Sequence, residues 1–283
     1  MSNRLQVKLA VALMAFLCAE LQGWSRNKIK KRLQEGCVMV NGQPVTRQGH
    51  LLDAGDDVEV LARPKALQRG VLRLEVLYSD DDLIAINKPA GLLSVASNRE
   101  DQRHALAMLR EQLSEPRRAI KLWPAHRLDR DTSGVLLFST SREIHEAVTG
   151  AWSEAEKNYL AVVEGCPSPR QGTIDEPLRM DSKGFRAHVG AHPEAKRAVT
   201  HFETQRTVKG CSLLAVQIET GRQHQIRAHL AWLGHPVLGD SRYGTGGGRL
   251  GLHALRLSIP CPKTGKRLDF QAPVPDGFSA LLG

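Results

Sequence analysis

The pattern of apolar and polar positions at the start of the chain predicts two helices. An apolar run over residues 9–19 is long enough for a buried first helix. Further along, Ile29 and Leu33 form an apolar stripe with i,i+4 spacing, which is typical of a helix that packs one face on a core. Ser25 is a suitable N-cap for this second helix, and Gly36 is a natural stop.

A short hairpin pattern follows the two predicted helices. Residues 38–40 lead into Asn41 and Gly42, a dipeptide that favours the two-residue turn of a β-hairpin. Residues 54–56 then turn the chain into a strand over residues 58–60. We therefore predict a compact N-terminal unit of two helices and a hairpin, followed by a basic linker over residues 63–70.

The rest of the chain is dominated by apolar runs of strand length. Many of these runs follow one another without an intervening helix, which favours a mixed, mostly antiparallel sheet over a doubly wound parallel one. The predicted fold class is α+β, with a small α+β domain over residues 1–66 and a larger domain over residues 67–283. The predicted strands are 72–77, 83–86, 135–138, 159–163, 198–207, 212–219, 252–259 and 267–271, and the predicted helices are 104–113, 143–152 and 220–233.

The net charge of the chain indicates a polyanionic partner. The formal net charge is +9 and the pI is about 9.5, which suits nucleic acid or an acidic membrane surface. The second predicted helix concentrates cations, with only Glu35 opposing them. Such density suits tracking of a phosphate backbone, although lysines on an exposed helix also serve solubility alone. The candidate phosphate-binding residues are Arg26, Lys28, Lys30, Lys31 and Arg32.

Cysteine usage and the apolar run near the start bear on the compartment. The five cysteines are scattered and none forms a CxxC pair, so neither a disulfide framework nor a zinc ribbon is indicated. Arg4 and Lys8 before the run over residues 9–19 imitate a signal peptide, but no small-x-small cleavage site ends the run. The run is also too short to span a bilayer. We expect a cytoplasmic protein that does not engage a membrane.

Charged and hydroxyl-bearing residues are densest at residues 126–134, directly before the predicted strand 135–138. Arg127, Asp129 and Asp131 alternate there, so in an extended segment they would share one side. A solvated loop with weak ion pairs is the alternative interpretation. The strand is expected to lie in the core, which would hold the charged residues at a fixed position beside it.

Carboxylate chemistry is the reaction type that this stretch favours. A guanidinium nearby keeps a carboxylate ionised, and Arg222 and Arg227 are available partners for Asp129. An ionised aspartate can attack or stabilise a sugar carbon while a glycosidic bond breaks. Beside a basic helix that suits a phosphate backbone, the bond in question would be that of a nucleotide.

Other chemistries have weaker support. His224 and His229 are five residues apart, which places them on different faces of a helix, and no HExxH motif is present, so we predict no metal site. The glycine-rich stretch 244–248 lacks the Lys-Ser/Thr pair of a phosphate-binding loop. No nucleophile-elbow sequence supports a serine triad.

Two parts of the chain resemble known families. Residues 25–60, with the pattern Gly-x-Val-x-Val-Asn-Gly, resemble the RNA-binding domain first known from ribosomal small-subunit protein four. Nearly all of residues 71–283 resembles the RluA-type pseudouridine synthases. The motifs of that second resemblance are Asn87-Lys88-Pro89-Ala90-Gly91, His126-Arg127-Leu128-Asp129 with Thr132-Ser133-Gly134, Lys157-x-Tyr159-x-Ala161, Thr220-Gly221-Arg222-x-His224-Gln225-Ile226-Arg227-x-His229, Gly234-His235-Pro236, Gly239-Asp240, Tyr243-Gly244 and Leu252-His253-Ala254.

The second resemblance implies a cofactor-free isomerisation of uridine in RNA to pseudouridine. It implies Asp129 as the catalytic aspartate, Arg227 as its partner and Leu252 as a packing residue at the target base. It places Tyr159 near the base, as a candidate for removing the proton from carbon 5. Arg127 would fill the gap left by the extruded uridine, because a stacked nucleotide cannot be reached by the enzyme.

The expected partner is RNA, bound also through Arg222. We favour large-subunit ribosomal RNA, because a linked RNA-binding domain is common among synthases that act on it, and transfer RNA stays open as a target. We expect a monomer. Two other function classes are an RNA-binding assembly protein with an inactive catalytic fold, and a metal-dependent nuclease using Asp129, Asp131 and His224. Intact catalytic positions oppose the first, and activity that is insensitive to chelators would remove the second.

Overall fold

The chain divides into two compact units, residues 1–72 and residues 73–283. The computed structural model describes residues 3–34, 37–45, 49–61, 73–96, 104–114, 119–181 and 186–281. The predicted domain boundary between residues 66 and 67 and the predicted linker over 63–70 lie outside the described residues, so both stay predictions.

The N-terminal unit combines two helices with short strands. Four strands form an antiparallel sheet in the order β1-β6-β3-β4, and β2 pairs with β5. The predicted hairpin is confirmed, with Asn41 and Gly42 at φ of +49° and +77° as its turn requires. The elements are β1 (Asn3–Gln6), β2 (Val11–Ala12), α1 (Leu13–Glu20), α2 (Arg26–Gln34), β3 (Val38–Val40), β4 (Gln43–Pro44), β5 (Leu51–Leu52) and β6 (Asp57–Val60).

The second helix forms as predicted. The Ser25 hydroxyl accepts a hydrogen bond from the backbone N–H of Lys28 at 3.2 Å, which caps the first turn of α2. Ile29 and Leu33 are buried in the core of this unit together with Leu17 of α1. The predicted stop at Gly36 lies outside the described residues.

The first helix is shorter than predicted. It begins at Leu13, because β2 pairs with β5 immediately before it and the N–H of Leu13 donates to the carbonyl of His50. Leu9, at the start of the apolar run, is 78% exposed. Within the described ranges, no helix has the length and apolar character needed to cross a membrane.

The second unit is built on one ten-stranded sheet. Its main path runs β12-β15-β16-β11-β17-β10-β8-β7, while β18 pairs with β17 and β9 with β10. The elements are β7 (Glu75–Ser79), β8 (Leu83–Lys88), α3 (Ala105–Leu113), β9 (Trp123–Pro124), β10 (Ser133–Ser139), α4 (Arg142–Gly150), a 3-10 turn (Trp152–Glu154), β11 (Glu156–Glu164), β12 (Gln171–Asp175), β13 (Leu178–Asp181), β14 (Arg186–Val189), β15 (Val199–Val208), β16 (Cys211–Ile218), α5 (Gln225–Trp232), β17 (Leu252–Pro260), β18 (Arg267–Gln271) and α6 (Gly277–Ala280).

The predicted mixed, mostly antiparallel sheet is confirmed. Among the described strands of this sheet, β10 and β17 form the one parallel pair, and the other pairings are antiparallel. The parallel pair is very close at Gly134, where an added Cβ would lie 2.1 Å from the carbonyl oxygen of Ala254. Gly134 also has a φ of +114°, so only glycine fits there.

The packing on both faces of strand β10 explains why its sequence is apolar without alternation. Leu136 and Phe138 pack into a cluster with Leu109 of α3, while Val135 and Leu137 pack into another with Val148 of α4. The strand is therefore buried on both faces. Its N-terminal end carries the polar stretch 126–132 and holds it against a rigid element.

Helix α5 begins later than predicted. The pattern indicated a helix over residues 220–233, but residues 220–224 form a loop and the helix begins at Gln225. His224 is in the left-handed region with φ of +58°, which stops the helix from extending backwards. The strands β9, β12, β13 and β14 were not predicted, because they are short or carry many polar residues.

Candidate active site

The backbone of the segment before β10 is anchored on both sides of Asp129, at Leu128 and at Arg130. The Ser94 hydroxyl donates to the carbonyl of Leu128 at 2.8 Å and accepts from the N–H of the same residue at 3.0 Å. The ammonium of Lys88 donates to three carbonyls, those of Pro89, Leu92 and Arg130. Asp129 lies between these two anchored positions.

Lys88 is fully buried. Its burial lowers the pKa of the ammonium to about 7, while the carboxylates of Asp131 and Asp129 oppose that effect. The three carbonyl acceptors match the three hydrogens of an ammonium, so they also favour the charged form. The interaction thus fixes the turn that carries Asp129.

Asp129 forms an ion pair with an arginine from α5. Nη1 of Arg227 donates to Oδ2 of Asp129 at 3.0 Å, across 98 positions of sequence. The same guanidinium makes a two-pronged interaction with Asp240, at 2.7 Å from Nε and 2.8 Å from Nη2. Backbone N–H groups of Arg242 and Tyr243 also donate to Asp240. Arg227 is therefore held rigidly, and its third nitrogen is directed at Asp129.

The charges of this network stabilise one another. Burial opposes ionisation of Asp240, but the hydrogen bonds and charge of Arg227 outweigh it and lower the pKa of Asp240. The two carboxylates likewise outweigh burial and raise the pKa of Arg227. Both residues remain charged across the working pH range.

Tyr159 and Leu252 line the same cavity as Asp129. The cavity is narrow, about 80 Å³, and adjoins a wider one of about 530 Å³ that shares Tyr159 and Asp129. Ile218 adds a further apolar surface to both cavities. The planar ring of Tyr159, the apolar side chains of Ile218 and Leu252, and the carboxylate of Asp129 together suit a pyrimidine nucleoside.

The phenol of Tyr159 is held in its neutral form. Burial raises its pKa, and the negative charge of Asp129 raises it further. A phenol in this environment favours stacking and hydrogen-bond donation over carrying negative charge. The predicted removal of the carbon 5 proton by Tyr159 stays a prediction, and this electrostatic environment works against it.

Two predicted RNA-binding arginines lie at the cavity mouth. Arg127 and Arg222 both line the narrow and the wide cavity, and both side chains are exposed. Nε of Arg222 donates to the carbonyl of Arg197 at 3.1 Å, which keeps it near the opening. The structure brings six predicted residues together around the narrow cavity: Arg127, Asp129, Tyr159, Arg222, Arg227 and Leu252.

Asp131 does not share a side with Asp129, contrary to the expectation from alternation. The N–H of Thr132 donates to the carbonyl of Asp129 at 3.2 Å, so the segment turns instead of extending. Asp131 is exposed and lines a different cavity with Arg249. The alternation argument failed because a turn has no two-residue periodicity.

The predicted cations of α2 belong to the N-terminal unit. Arg26, Lys28, Lys30 and Lys31 are exposed, and Arg32 is half-buried. The ammonium of Lys28 lies 4.0 Å from the centre of the Trp24 ring. A cation beside an aromatic face on an exposed helix suits contact with RNA.

Sequence reasoning left several site residues without a role. Lys88 and Asp240 lie in motifs of the resemblance, but only the fold shows that they anchor the turn and Arg227. His224 and Tyr243 are joined by a hydrogen bond of 3.0 Å, and Nε2 of His224 lies 3.9 Å from Asp129. The signal for these residues was their position in polar motifs beside Asp129 and Arg227.

The histidines of the 220–235 segment have structural partners. His229 is buried, with Nδ1 bonded to the Thr200 hydroxyl at 2.9 Å and Nε2 to the carbonyl of Glu176 at 3.0 Å. Nδ1 of His235 is bonded to the carbonyl of Glu164. Within the part of the chain that the structure describes, no group of three His, Cys, Asp or Glu residues is placed to hold a metal ion.

Comparisons with known proteins agree with the two-unit architecture. A family described as RNA pseudouridylate synthase matches residues 82–232, and the S4 domain matches residues 13–58. Ribosomal large subunit pseudouridine synthase D of Vibrio cholerae is 32% identical over 276 residues, covering 89% of this chain and 84% of the relative. tRNA pseudouridine synthase C of Haemophilus ducreyi is 35% identical over 227 residues, covering 71% and 91%.

The fold has a counterpart among solved structures. Human RNA pseudouridylate synthase domain containing 4 superposes with a TM-score of 0.62 at 25% identity, covering 77% of this chain and 93% of the human one. Sequence motifs, sheet topology and the matched family thus agree over the second unit. The chain belongs to the RNA pseudouridylate synthase family, whose members isomerise uridine to pseudouridine in RNA, and it carries an S4 RNA-binding domain at its N-terminus.

Proposed function

We propose that Asp129 acts on the ribose of a uridine in large-subunit ribosomal RNA. In the net reaction the bond between N1 and C1′ breaks, a bond between C5 and C1′ forms, and the C5 proton is lost while N1 gains one. These changes balance without an oxidant or reductant, so the isomerisation requires no redox cofactor. An ionised carboxylate can serve as nucleophile at C1′ or as base toward a ribose proton.

One observation supports this role above the others. Nη1 of Arg227 contacts Asp129 at 3.0 Å while Asp240 holds the other side of the same guanidinium. A guanidinium that is itself held in place restricts the orientation of the carboxylate. An oriented carboxylate inside a narrow cavity with Tyr159 is the arrangement that cleavage of a glycosidic bond by an aspartate requires.

The remaining predicted residues receive roles on the same basis. The target base would stack on Tyr159 and pack against Leu252, both of which line the cavity. Since a base stacked in RNA cannot reach this cavity, the uridine must be extruded, and Arg127 at the mouth would occupy the space it leaves. Arg222 and the cations of α2 would bind phosphates.

The RNA class is inferred from the relatives and the domain organisation. The large-subunit relative aligns with 89% of this chain, against 71% for the tRNA relative. A linked S4 domain also suits a large, structured RNA with many phosphates to contact. We propose that the protein acts as a monomer in the cytoplasm. Transfer RNA is the second candidate substrate, supported by the tRNA relative at 35% identity.

The experiment is a pseudouridine map of total RNA from four strains: the parent, a knockout, and knockouts rescued with wild type or with Asp129→Asn. We expect one or a few positions in large-subunit ribosomal RNA to be lost in the knockout and restored by wild type alone. Loss confined to transfer RNA would change the substrate and leave the role of Asp129 intact.

Two results would contradict the proposal. If no position changed, or if the Asp129→Asn strain recovered every position, an RNA-binding role in ribosome assembly would replace catalysis. A nuclease would reveal itself by RNA cleavage that a chelator stops, whereas isomerisation by the purified protein should continue in excess chelator.

A further inference from the structure

We propose that His224 and Tyr243 are positioning residues for Asp129, and that they connect its carboxylate to the β13–β14 hairpin. This inference rests on the proposed catalytic role of Asp129. In this proposal the imidazole of His224 is a second, uncharged hydrogen-bond donor to Asp129, in addition to Arg227. The proposal also predicts which oxygen of the Asp129 carboxylate faces the substrate.

Both side chains that approach Asp129 converge on one oxygen. Nη1 of Arg227 lies 3.0 Å from Oδ2, and Nε2 of His224 lies 3.9 Å from the same atom. The side chains of Arg227 and His224 are 8% and 9% exposed, so neither can swing freely into solvent. With Oδ2 held in this way, Oδ1 is the oxygen available to the ribose.

The hydrogen-bond chain behind His224 determines which ring nitrogen carries the hydrogen. The N–H of Ala187 donates to the phenol oxygen of Tyr243 at 2.6 Å, and that oxygen lies 3.0 Å from Nδ1 of His224. The phenol O–H can therefore donate to Nδ1, which leaves the hydrogen on Nε2. The opposite tautomer would turn a nitrogen lone pair toward the carboxylate of Asp129, which is unfavourable.

The distance between His224 and Asp129 leaves room for the contact to tighten. At 3.9 Å the two atoms are about 1 Å farther apart than in a hydrogen bond. Catalytic hydrogen bonds are often long without substrate and shorten when it binds. A small shift of Asp129 toward His224 would complete the bond and fix the carboxylate rotamer.

The backbone of His224 is held in an unusual conformation at this point. Its φ of +58° and ψ of +17° are in the left-handed region, which is uncommon for residues other than glycine, although histidine adopts it more often than most. The buried side chain of Gln225 stabilises the loop, bonding to Thr220, Arg222, Val199 and Thr200. The loop geometry thus directs the imidazole at Asp129.

Tyr243 extends the connection to the hairpin. Its ring lies 5.0 Å from the guanidinium carbon of Arg186 and 5.3 Å from that of Arg227. Ala187 and Arg186 both belong to β14, so the hairpin contacts Tyr243 through its backbone and through a side chain. RNA that moves the hairpin would consequently change the position of His224 relative to Asp129.

The first test measures the tautomer of His224 in the wild-type protein by nitrogen-15 NMR of labelled histidines, with the signal assigned through His224→Asn. We expect a neutral ring with its hydrogen on Nε2. A hydrogen on Nδ1, or a charged ring at pH 7, would overturn the proposal. This readout requires no substrate and no variant beyond the assignment.

The second test measures tritium release from RNA labelled at C5 of uridine, transcribed without modification. Tyr243→Phe removes the phenol oxygen but keeps the ring between its two guanidinium groups. We expect kcat to fall about tenfold with KM within twofold, because the orientation of Asp129 is disturbed and RNA binding is not. Tyr78→Phe, which removes an exposed phenol bonded to Asp80, is the matched control and should have wild-type kinetics.

A double variant of His224 and Tyr243 distinguishes a shared positioning role from a general loss of structure. His224→Asn tolerates the left-handed backbone but cannot reach Asp129. If the residues act as one unit, Tyr243→Phe in the His224→Asn background should change kcat by less than twofold. Wild-type kcat in Tyr243→Phe, or fully multiplicative effects in the double variant, would overturn the proposal.

The same assay distinguishes a failure of this inference from a failure of the proposed function. Asp129→Asn should release no tritium whatever the outcome for His224 and Tyr243. If Asp129→Asn were active, the proposed function would fail first. If it is inactive and Tyr243→Phe is unaffected, only the positioning role fails.

Discussion

The charged groups around Asp129 and those along α2 illustrate two different uses of charge. Arg227 and Asp240 are buried, paired at 2.7 and 2.8 Å, and fixed by backbone donors. Four of the five cations on α2 are exposed to solvent. The buried pair can orient a reacting group, and breaking it costs much of the free energy of unfolding. Exposed cations instead contribute to the affinity for a polyanion, and this contribution is weakened by salt.

The largest effects should come from the two aspartates that share Arg227, and they should differ in kind. Asp129→Asn should reduce turnover at least ~10³-fold while the free energy of unfolding changes little, because Asp240 still neutralises the guanidinium. Asp240→Asn should destabilise the fold by about 3–5 kcal/mol, since it breaks a buried pair. Urea unfolding and tritium release together measure both.

The expected difference between the two aspartates can be contradicted by the stability measurements alone. Equal losses of stability in Asp129→Asn and Asp240→Asn would show that Asp129 is a structural member of the network. Asp269→Asn, which disturbs the exposed pair with Arg256, is a suitable control and should shift stability by less than about 1 kcal/mol.

The next effect concerns the anchor under the Asp129 turn. Lys88→Met keeps an unbranched side chain, one atom shorter, but leaves the carbonyls of Pro89, Leu92 and Arg130 without their donor. We expect a loss of about 3 kcal/mol in unfolding free energy and a lower kcat. Thermal unfolding beside Lys121→Met, an exposed control, measures the stability term. A loss below about 1 kcal/mol would mean that the turn holds without Lys88.

Acid should weaken the site region through His126. This ring accepts a hydrogen bond from the N–H of Leu137 and stacks on Trp152, and burial lowers its pKa to about 4. The unfolded state, with a pKa near 6.5, binds the proton first as the pH falls. Stability contributed by neutral His126 is therefore present above pH 6.5 and is lost as the pH falls toward 4, by up to about 3 kcal/mol.

Urea titrations at pH 7 and pH 4.5 test this pH dependence. The difference in unfolding free energy between the two pH values should be smaller in His126→Gln than in wild type, since the variant has no ring to protonate. His192→Gln, at an exposed position, should leave the difference unchanged. A difference that is the same in all three proteins would assign the acid sensitivity to other groups.

The smallest effects should be those of single cations on α2. Lys30→Gln should weaken RNA binding slightly and reduce the slope of log affinity against log salt by about 0.7–1, the amount expected for one phosphate contact. Turnover at saturating RNA should stay at the wild-type value. Binding titrations at several salt concentrations, with Lys266→Gln as an exposed control, measure the slope. An unchanged slope would mean that Lys30 does not face RNA.

Local patterns were sufficient for much of the fold. The stripe of Ile29 and Leu33 predicted α2, the Asn41-Gly42 dipeptide predicted its turn, and the uniform apolar run over 135–138 predicted a core strand. Each of these signals depends on residues within one or two turns of each other, so no tertiary information was needed.

Other features required the complete fold. The first helix lost its first turn to the pairing of β2 with β5, and the loop before α5 replaced a predicted helical turn because Gln225 bonds to a neighbouring strand. The alternation of Asp129 and Asp131 was misleading, since a turn separates them. Long-range hydrogen bonds decided the first two cases, and a local turn closed by Thr132 and Asp129 decided the third.

For the site, residue types alone indicated carboxylate chemistry at Asp129, and the resemblance to the RluA-type pseudouridine synthases implied Arg227, Tyr159 and Leu252 as its partners and an RNA-modifying isomerase. Their assembly depends on a contact across 98 positions of sequence, made when the turn before β10 and the first turn of α5 meet at one cavity. The contacts made by the buried Asp240 and Lys88 and by the half-buried Tyr243 are visible only in the folded structure. A side chain's role in a site depends on the charges and donors that the fold places around it, and these come from distant parts of the chain.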